Sequence, residues 1–246
     1  ATGNKLYEGT KKLLELIEKV GGKSIYITNN STKSTADYVK KFEGWNLRTE
    51  EWQFVTSGFI AAQYLKENFA GKKIFVMGTA SFIQNLREQG LIVTEYVEEG
   101  IACVLVGYDS ELTYEKLEKI CTFIRHGKTY YGINPDLNCP IEGGEFIPDC
   151  GSIARCIESS TGVFPEFFGK PSHRTLDYIQ KATGLAGDQI AIVGDRMYTD
   201  IAVADGSDIV SILVLSGETK KEEVPDNPIQ PDIMIENIGV LSDLLD

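Results

Sequence analysis

The stretch Gln189-Ile190-Ala191-Ile192-Val193-Gly194-Asp195-Arg196-Met197-Tyr198-Thr199-Asp200 constrains the fold of this chain more than any other. Its opening apolar run reads as a fully buried strand, and a glycine breaks it. Two carboxylates, Asp195 and Asp200, follow before the apolar residues Ile201, Ala202 and Val203 begin a helix. In a parallel α/β sheet this pattern puts Asp195 at the carboxyl end of a strand, where such folds bind ligands. An acid there is poorly placed for packing and well placed to hold a hard cation such as Mg²⁺. The competing reading is a plain strand-to-helix loop with Thr199 or Asp200 as the helix N-cap. On these residues alone the two readings stand level.

The rest of the chain repeats the alternation. Thr10 can cap a helix whose Leu13, Leu14, Leu16, Ile17 and Val20 share a face, ended by Gly21-Gly22. A strand over 24–27 runs into Thr28-Asn29-Asn30-Ser31, and a helix over 33–42 follows. After a short strand at Phe54-Val55, Ser57 can cap a helix over 58–69. Further strands are expected at 73–77, 102–106, 130–133 and 209–215. Between them lie helices over 82–88, 114–125, 152–159 (capped by Ser152) and 174–181. This alternation predicts an α/β fold, a Rossmann-like doubly wound parallel sheet. The first clear element is a helix, whereas such a sheet starts on a strand that becomes central. Dropping a central strand would open the core and orphan its backbone hydrogen bonds. The full polypeptide is therefore expected to carry a strand ahead of residue 1.

Charge and cysteine usage narrow the function. A formal net charge of −12 argues against nucleic acid or an anionic membrane as partner. A site for an anionic substrate must then make its own local positive charge. Five cysteines without a CxxC suit reduced thiols, and no signal peptide or bilayer-length apolar run is visible. A cytoplasmic protein is expected. No GxGxxG follows a strand, and no P-loop, GxSxG or HExxH occurs. With only two histidines, His126 and His173, this disfavours dinucleotide oxidoreductase, serine-hydrolase and zinc chemistry.

Two more strand ends carry chemistry. Thr28-Asn29-Asn30-Ser31 offers hydroxyl, amide and backbone donors that can hold phosphate oxygens ahead of a helix N-terminus. Taken singly it also suits an ordinary turn and cap. Phe168-Gly169-Lys170-Pro171 sets a lysine before a proline-started helix, where it can neutralise an anion or simply lie exposed. The set is more telling than its members: a hydroxyl at 28, a cation at 170 and acids at 195 and 200 are complementary.

These residues carry a family resemblance. Ile27-Thr28-Asn29-Asn30-Ser31, Phe168-Gly169-Lys170-Pro171 and Val193-Gly194-Asp195-Arg196-Met197-Tyr198-Thr199-Asp200 resemble motifs II, III and IV of the haloacid dehalogenase superfamily. More narrowly the chain resembles the NagD and p-nitrophenyl phosphatase branch, which carries a C2-type cap. Gly107-Tyr108-Asp109, Asn134-Pro135-Asp136, Pro148-Asp149-Cys150-Gly151-Ser152 and Leu213-Val214-Leu215-Ser216-Gly217 also resemble segments of that branch. The resemblance implies a core from residues 1–70 and 165–246 and an inserted, smaller α/β cap over 71–164. It implies a Mg²⁺-dependent phosphatase acting on small phosphorylated metabolites through an aspartyl-phosphate. Asp195 would ligate the metal, and Asp200 would support Lys170 or a metal-bound water. Thr28 and Lys170 would hold the phosphoryl group, with Asn29 and Asn30 on the substrate side. The cap would choose the leaving group, with Cys139 of the loop 136–139 as candidate contact, and could form a homodimer. Motif I, which supplies the nucleophile, is absent from residues 1–246. Gly3-Asn4-Lys5-Leu6 resembles the segment just after it, so the nucleophilic aspartate is expected ahead of residue 1. The rival reading is an inactive relative that binds a phosphorylated ligand or a protein partner.

Overall fold

A computed structural model describes residues 6–30, 33–141 and 145–245; Ser31 of the second strand-end motif and residues 3–5 lie outside them. In chain order the elements begin with helix α1 (Thr10–Lys19), strand β1 (Tyr26–Thr28), α2 (Thr35–Glu43), β2 (Phe54–Thr56) and α3 (Ser57–Asn68). Then come β3 (Lys73–Met77), α4 (Ala80–Glu88), β4 (Ile92–Thr94), β5 (Ile101–Val106), α5 (Tyr114–Arg125) and β6 (Thr129–Gly132). The hairpin strands β7 (Asn138–Pro140) and β8 (Phe146–Pro148) precede α6 (Cys150–Thr161), β9 (Glu166–Phe167) and α7 (Arg174–Thr183). The chain closes with β10 (Ala191–Gly194), β11 (Val210–Val214), β12 (Ile233–Ile235) and α8 (Ile238–Leu244).

The chain forms two compact units, one from Ala1–Tyr26, Val39–Gln53 and Lys170–Asp246, the other from Ile27–Tyr38 and Phe54–Gly169. Compactness thus groups 27–38 and 54–70 with the segment that the sequence resemblance treats as a cap. In the first unit β10, β11 and β12 form a sheet in which both pairs are parallel. Helix α8 starts at Asn237, whose Oδ1 accepts the N–H groups of Gly239 and Val240 at 2.9 and 3.3 Å. Lys12 of α1 meets Asp243 of α8 at 2.9 Å. Gly9, at φ 81°, begins α1, and a Cβ there would collide with the Gly239 backbone. That close approach requires glycine at residue 9.

The second unit is built on a five-stranded sheet in the order β4-β3-β5-β6-β9, parallel throughout. Strand β5 reads Ile-Ala-Cys-Val-Leu-Val and is almost wholly buried, as a parallel strand covered on both faces must be. Phe75, Leu105, Ile120, Ile133 and Ile157 are among its largest fully buried side chains. Tyr64, Tyr131 and Phe168 add an aromatic cluster with ring centroids 5.2 to 5.7 Å apart. Beyond β3 and β5, the buried Asp109 accepts Lys116 Nζ at 2.8 Å and Glu111 N at 2.9 Å. Lys116 also donates to Gly78 O at 3.0 Å, which accounts for the Gly107-Tyr108-Asp109 segment as a structural tie. The hairpin β7–β8 is antiparallel.

Several local expectations are corrected. Thr56, not Ser57, caps α3, accepting Phe59 N at 3.1 Å; Asp149, not Ser152, caps α6. Thr10 lies inside α1, whose cap position is Gly9. Strand β10 is not fully buried: Ile192 is covered, but Ala191 and Val193 are exposed, and β10 pairs only with β11 among the described strands. Among the described residues no helix is long and apolar enough to cross a membrane.

Candidate active site

In the first unit β10 ends at Gly194 and delivers Asp195 at the carboxyl end of a parallel strand. The residues beyond do not start a regular helix. Met197–Ile201 is a single π-type turn and Ala202–Ala204 a 3₁₀ turn. Asp200 explains the wide turn, because its Oδ2 accepts the backbone N–H of both Asp195 and Arg196 at 3.1 Å. Those amides lie upstream of Asp200, so it serves as a brace across the strand end and not as an N-cap. The brace sits so close that a Cβ at residue 194 would overlap the Asp200 carboxylate, which leaves only glycine there. Met197 and Ile201 anchor the turn in an apolar cluster with Leu213 and Val224. Asp200 Oδ1 accepts a hydrogen bond from Lys170 Nζ, and these two side chains are only 10% and 12% exposed. The lysine and the acid are thus held as one nearly buried pair.

Asp195 is half-buried and differently employed. Its Oδ2 accepts Glu218 N at 2.8 Å, and its carbonyl accepts Thr219 N at 3.1 Å. Its Oδ1 takes no hydrogen bond among the described residues. A Cβ at residue 217 would run into the Asp195 carboxylate, so Gly217 is needed for this approach. The Glu218 carboxylate in turn meets Arg196 Nε at 2.6 Å and the Tyr198 hydroxyl at 3.0 Å. Among the described residues no three His, Cys, Asp or Glu side chains gather as a ready-made metal cage. One oriented carboxylate oxygen nevertheless fits Mg²⁺, which keeps several waters and takes few protein ligands.

In the second unit Thr28 ends β1. Its Oγ1 accepts Asn30 N at 3.2 Å, turning the backbone of the motif back on itself. Asn29 carbonyl accepts the Ser57 hydroxyl at 2.8 Å. The Asn29 side chain donates through Nδ2 to Asp136 Oδ2 at 3.0 Å, and a Cβ at residue 169 would crowd its Oδ1. Asn134 Nδ2 joins the same Asp136 oxygen at 2.9 Å and reaches Asp149 at 3.3 Å. The Asn134-Pro135-Asp136 and Pro148–Ser152 segments are therefore one buried polar network attached to Asn29. Tyr38 stacks on Phe54 with centroids 5.6 Å apart. Burial pushes its hydroxyl up from the ordinary tyrosine value; the neighbouring Thr28 hydroxyl pulls it back and Cys139 raises it further. Cys139 sits on β7 opposite Ile147, so the fold brings it and Thr28 to the same tyrosine.

The structure thus unites Lys170, Asp195 and Asp200 in one unit, and Thr28, Asn29, Asn30 and Cys139 in the other. Gly217, Glu218 and Tyr38 were not singled out as site residues from the sequence, whereas Asp136 belongs to the loop expected to contact substrate. Gly217 stands in a segment that carries the resemblance, but its close approach to Asp195 is visible only in three dimensions.

Known proteins bear on this arrangement. A model described as haloacid dehalogenase-like hydrolase matches residues 1–92, and a HAD-hydrolase-like model matches residues 167–241. An acid sugar phosphatase of Staphylococcus aureus is 30% identical over 232 residues, covering 94% of this chain and 88% of that protein. The chain belongs to the haloacid dehalogenase-like hydrolase family. A solved 4-nitrophenylphosphatase from Thermotoga maritima is 35% identical to this HAD hydrolase, with a TM-score of 0.91 over 100% of this chain and 93% of its own. NagD from E. coli K-12 is 25% identical, with a TM-score of 0.87 over 97% and 92% of the two chains. The HAD hydrolase falls in the NagD and p-nitrophenyl phosphatase-like branch, and its α/β fold with a parallel sheet is that of capped HAD structures. Membership of that branch makes it a phosphomonoester hydrolase.

Proposed function

We propose that this HAD hydrolase is a Mg²⁺-dependent phosphatase of small phosphorylated metabolites such as sugar phosphates, working through an aspartyl-phosphate. The observation that carries the reading is the pair of differently employed acids after β10: Asp200 is spent on two amides and Lys170, while Asp195 Oδ1 takes no hydrogen bond among the described residues. Asp195 would hold Mg²⁺, which when bound would offset phosphoryl charge and help align the reacting groups. Lys170, oriented by Asp200, gives this acidic protein a local cation for the phosphoryl oxygens. Thr28 is assigned a phosphoryl oxygen, and Asn29 and Asn30 the substrate side, by the motif resemblance. The attacking carboxylate is the motif I aspartate, which the resemblance expects ahead of residue 1. Its oxygen bonds to phosphorus as the P–O bond to the leaving alcohol breaks and that alcohol takes a proton. Water then cleaves the acyl phosphate, releasing phosphate and regenerating the carboxylate. Selectivity for the leaving group is assigned to the cap over 71–164, with Cys139 as a contact.

Quenching a single turnover of phosphorus-labelled substrate in acid tests the covalent step. Label retained on protein and released by hydroxylamine is the expected result. Turnover with no hydroxylamine-sensitive label at any quench time would rule out the aspartyl-phosphate.

A further inference from the structure

The loop after β11 ties down both ends of Asp195. Glu218 N holds the carboxylate through Oδ2, and Thr219 N holds the carbonyl. The direction in which Oδ1 points is therefore set by where this loop stands. Gly217 permits the close approach but fixes nothing, since glycine is the least restricted residue. What fixes the loop is the Glu218 side chain. One oxygen meets Arg196 Nε at 2.6 Å and the other accepts the Tyr198 hydroxyl at 3.0 Å. Arg196 and Tyr198 lie one and three residues after Asp195 in the chain, so the contacts close a ring from strand end to loop and back. The Arg196 guanidinium also lies 6.0 Å from the Tyr198 ring centre, keeping the three groups together.

We infer that Glu218, gripped by Arg196 and Tyr198, is a positioning residue that sets how Asp195 is presented to a divalent cation. The inference rests on the metal reading above. The Glu218 side chain is 47% exposed, and an ion pair so open to solvent adds little to folding stability. Its consequence falls on ligand geometry, where partners behind a metal ligand commonly matter 10- to 100-fold, an order-of-magnitude range.

Calorimetric titration of the full-length protein with Mg²⁺ alone separates the possibilities, run beside melting curves without Mg²⁺ and KM for p-nitrophenyl phosphate at saturating Mg²⁺. Glu218→Ala is expected to raise the Mg²⁺ Kd about 10-fold and Tyr198→Phe about threefold, with melting temperature and KM unchanged. Glu218→Gln keeps one acceptor oxygen, for Arg196, while its amide N–H can donate to the Tyr198 hydroxyl oxygen, and it is expected to recover part of the affinity. A Kd within about twofold of wild type in Glu218→Ala, or a loss of affinity that tracks a fall in melting temperature, would overturn the positioning role. Mg²⁺ binding that survives Asp195→Ala unchanged would instead bring down the metal reading, and the clamp with it.

Discussion

Lys170 and Asp200 depend on each other, because each is a charge held almost out of water. Replacing Lys170 by Met leaves the Asp200 carboxylate with two amides and no cation. Breaking one side of a buried pair costs on the order of 3 kcal/mol, so urea unfolding of Lys170→Met is expected to show a loss near that size. Turnover should fall at least about 100-fold, since the same change removes the cation proposed to bind the phosphoryl group. A stable, active Lys170→Met protein would contradict both roles. The thiols give a gentler check at this scale. Burial pushes Cys103 and Cys150 up to about 12, so they stay protonated and inert at pH 8. Cys156 is exposed and Cys139 half-buried. Iodoacetamide at pH 8 followed by peptide mass mapping is expected to label Cys156 first, then Cys139, and to spare Cys103 and Cys150. Asp195, Asp200 and Lys170 stood out in the sequence as candidates because they form, with Thr28, a complementary set at the ends of β-like runs. Gly217 and Tyr38 were not legible, since what they do depends on neighbours distant in sequence.

Among elements, the caps show how local signals compete. Thr56-Ser57 and Asp149–Ser152 each offer more than one capping oxygen, and the pattern of apolar residues cannot choose between them. In both cases the observed cap is the earlier residue, which starts the helix directly from the preceding strand. Short strands were the main omission: β4, β7, β8 and β12 span three residues each, too few for any periodicity to register. The turn at 197–204 was expected to be a helix because its apolar spacing suits one; the brace of Asp200 on the amides of 195 and 196 overrides that propensity. The join of β11 to β12 carries a pH dependence. Ser211 donates its N–H and its hydroxyl to Asp232 Oδ2, both at 2.7 Å, holding the Asp232 carboxyl below the usual carboxylate range. A carboxylate depressed in the folded state contributes its stability in full above its unfolded value, about 3.9, and loses it as pH falls through the folded value. Wild-type stability is thus expected to fall more steeply than that of Asp232→Asn as pH is lowered below about 4. Parallel pH-dependent urea titrations of the two proteins check this, and identical acid limbs would contradict it.

At the scale of the whole molecule, alternation of strands and helices was enough to give parallel α/β architecture, and both large sheets are parallel. Sequence spacing did not foretell the grouping of 27–38 and 54–70 with the second unit, because compactness is a property of packing and not of order along the chain. Family membership makes this a phosphomonoester hydrolase, and the two acids after β10 support the proposal that its chemistry runs on a metal held by Asp195. Hydrolysis of p-nitrophenyl phosphate by the full-length protein tests that claim most directly, assayed with Mg²⁺, with chelator, and in the Asp195→Ala variant. The expected result is turnover that needs Mg²⁺ and disappears in the folded variant. Turnover that persists in chelator, or survives Asp195→Ala at saturating Mg²⁺, would contradict it.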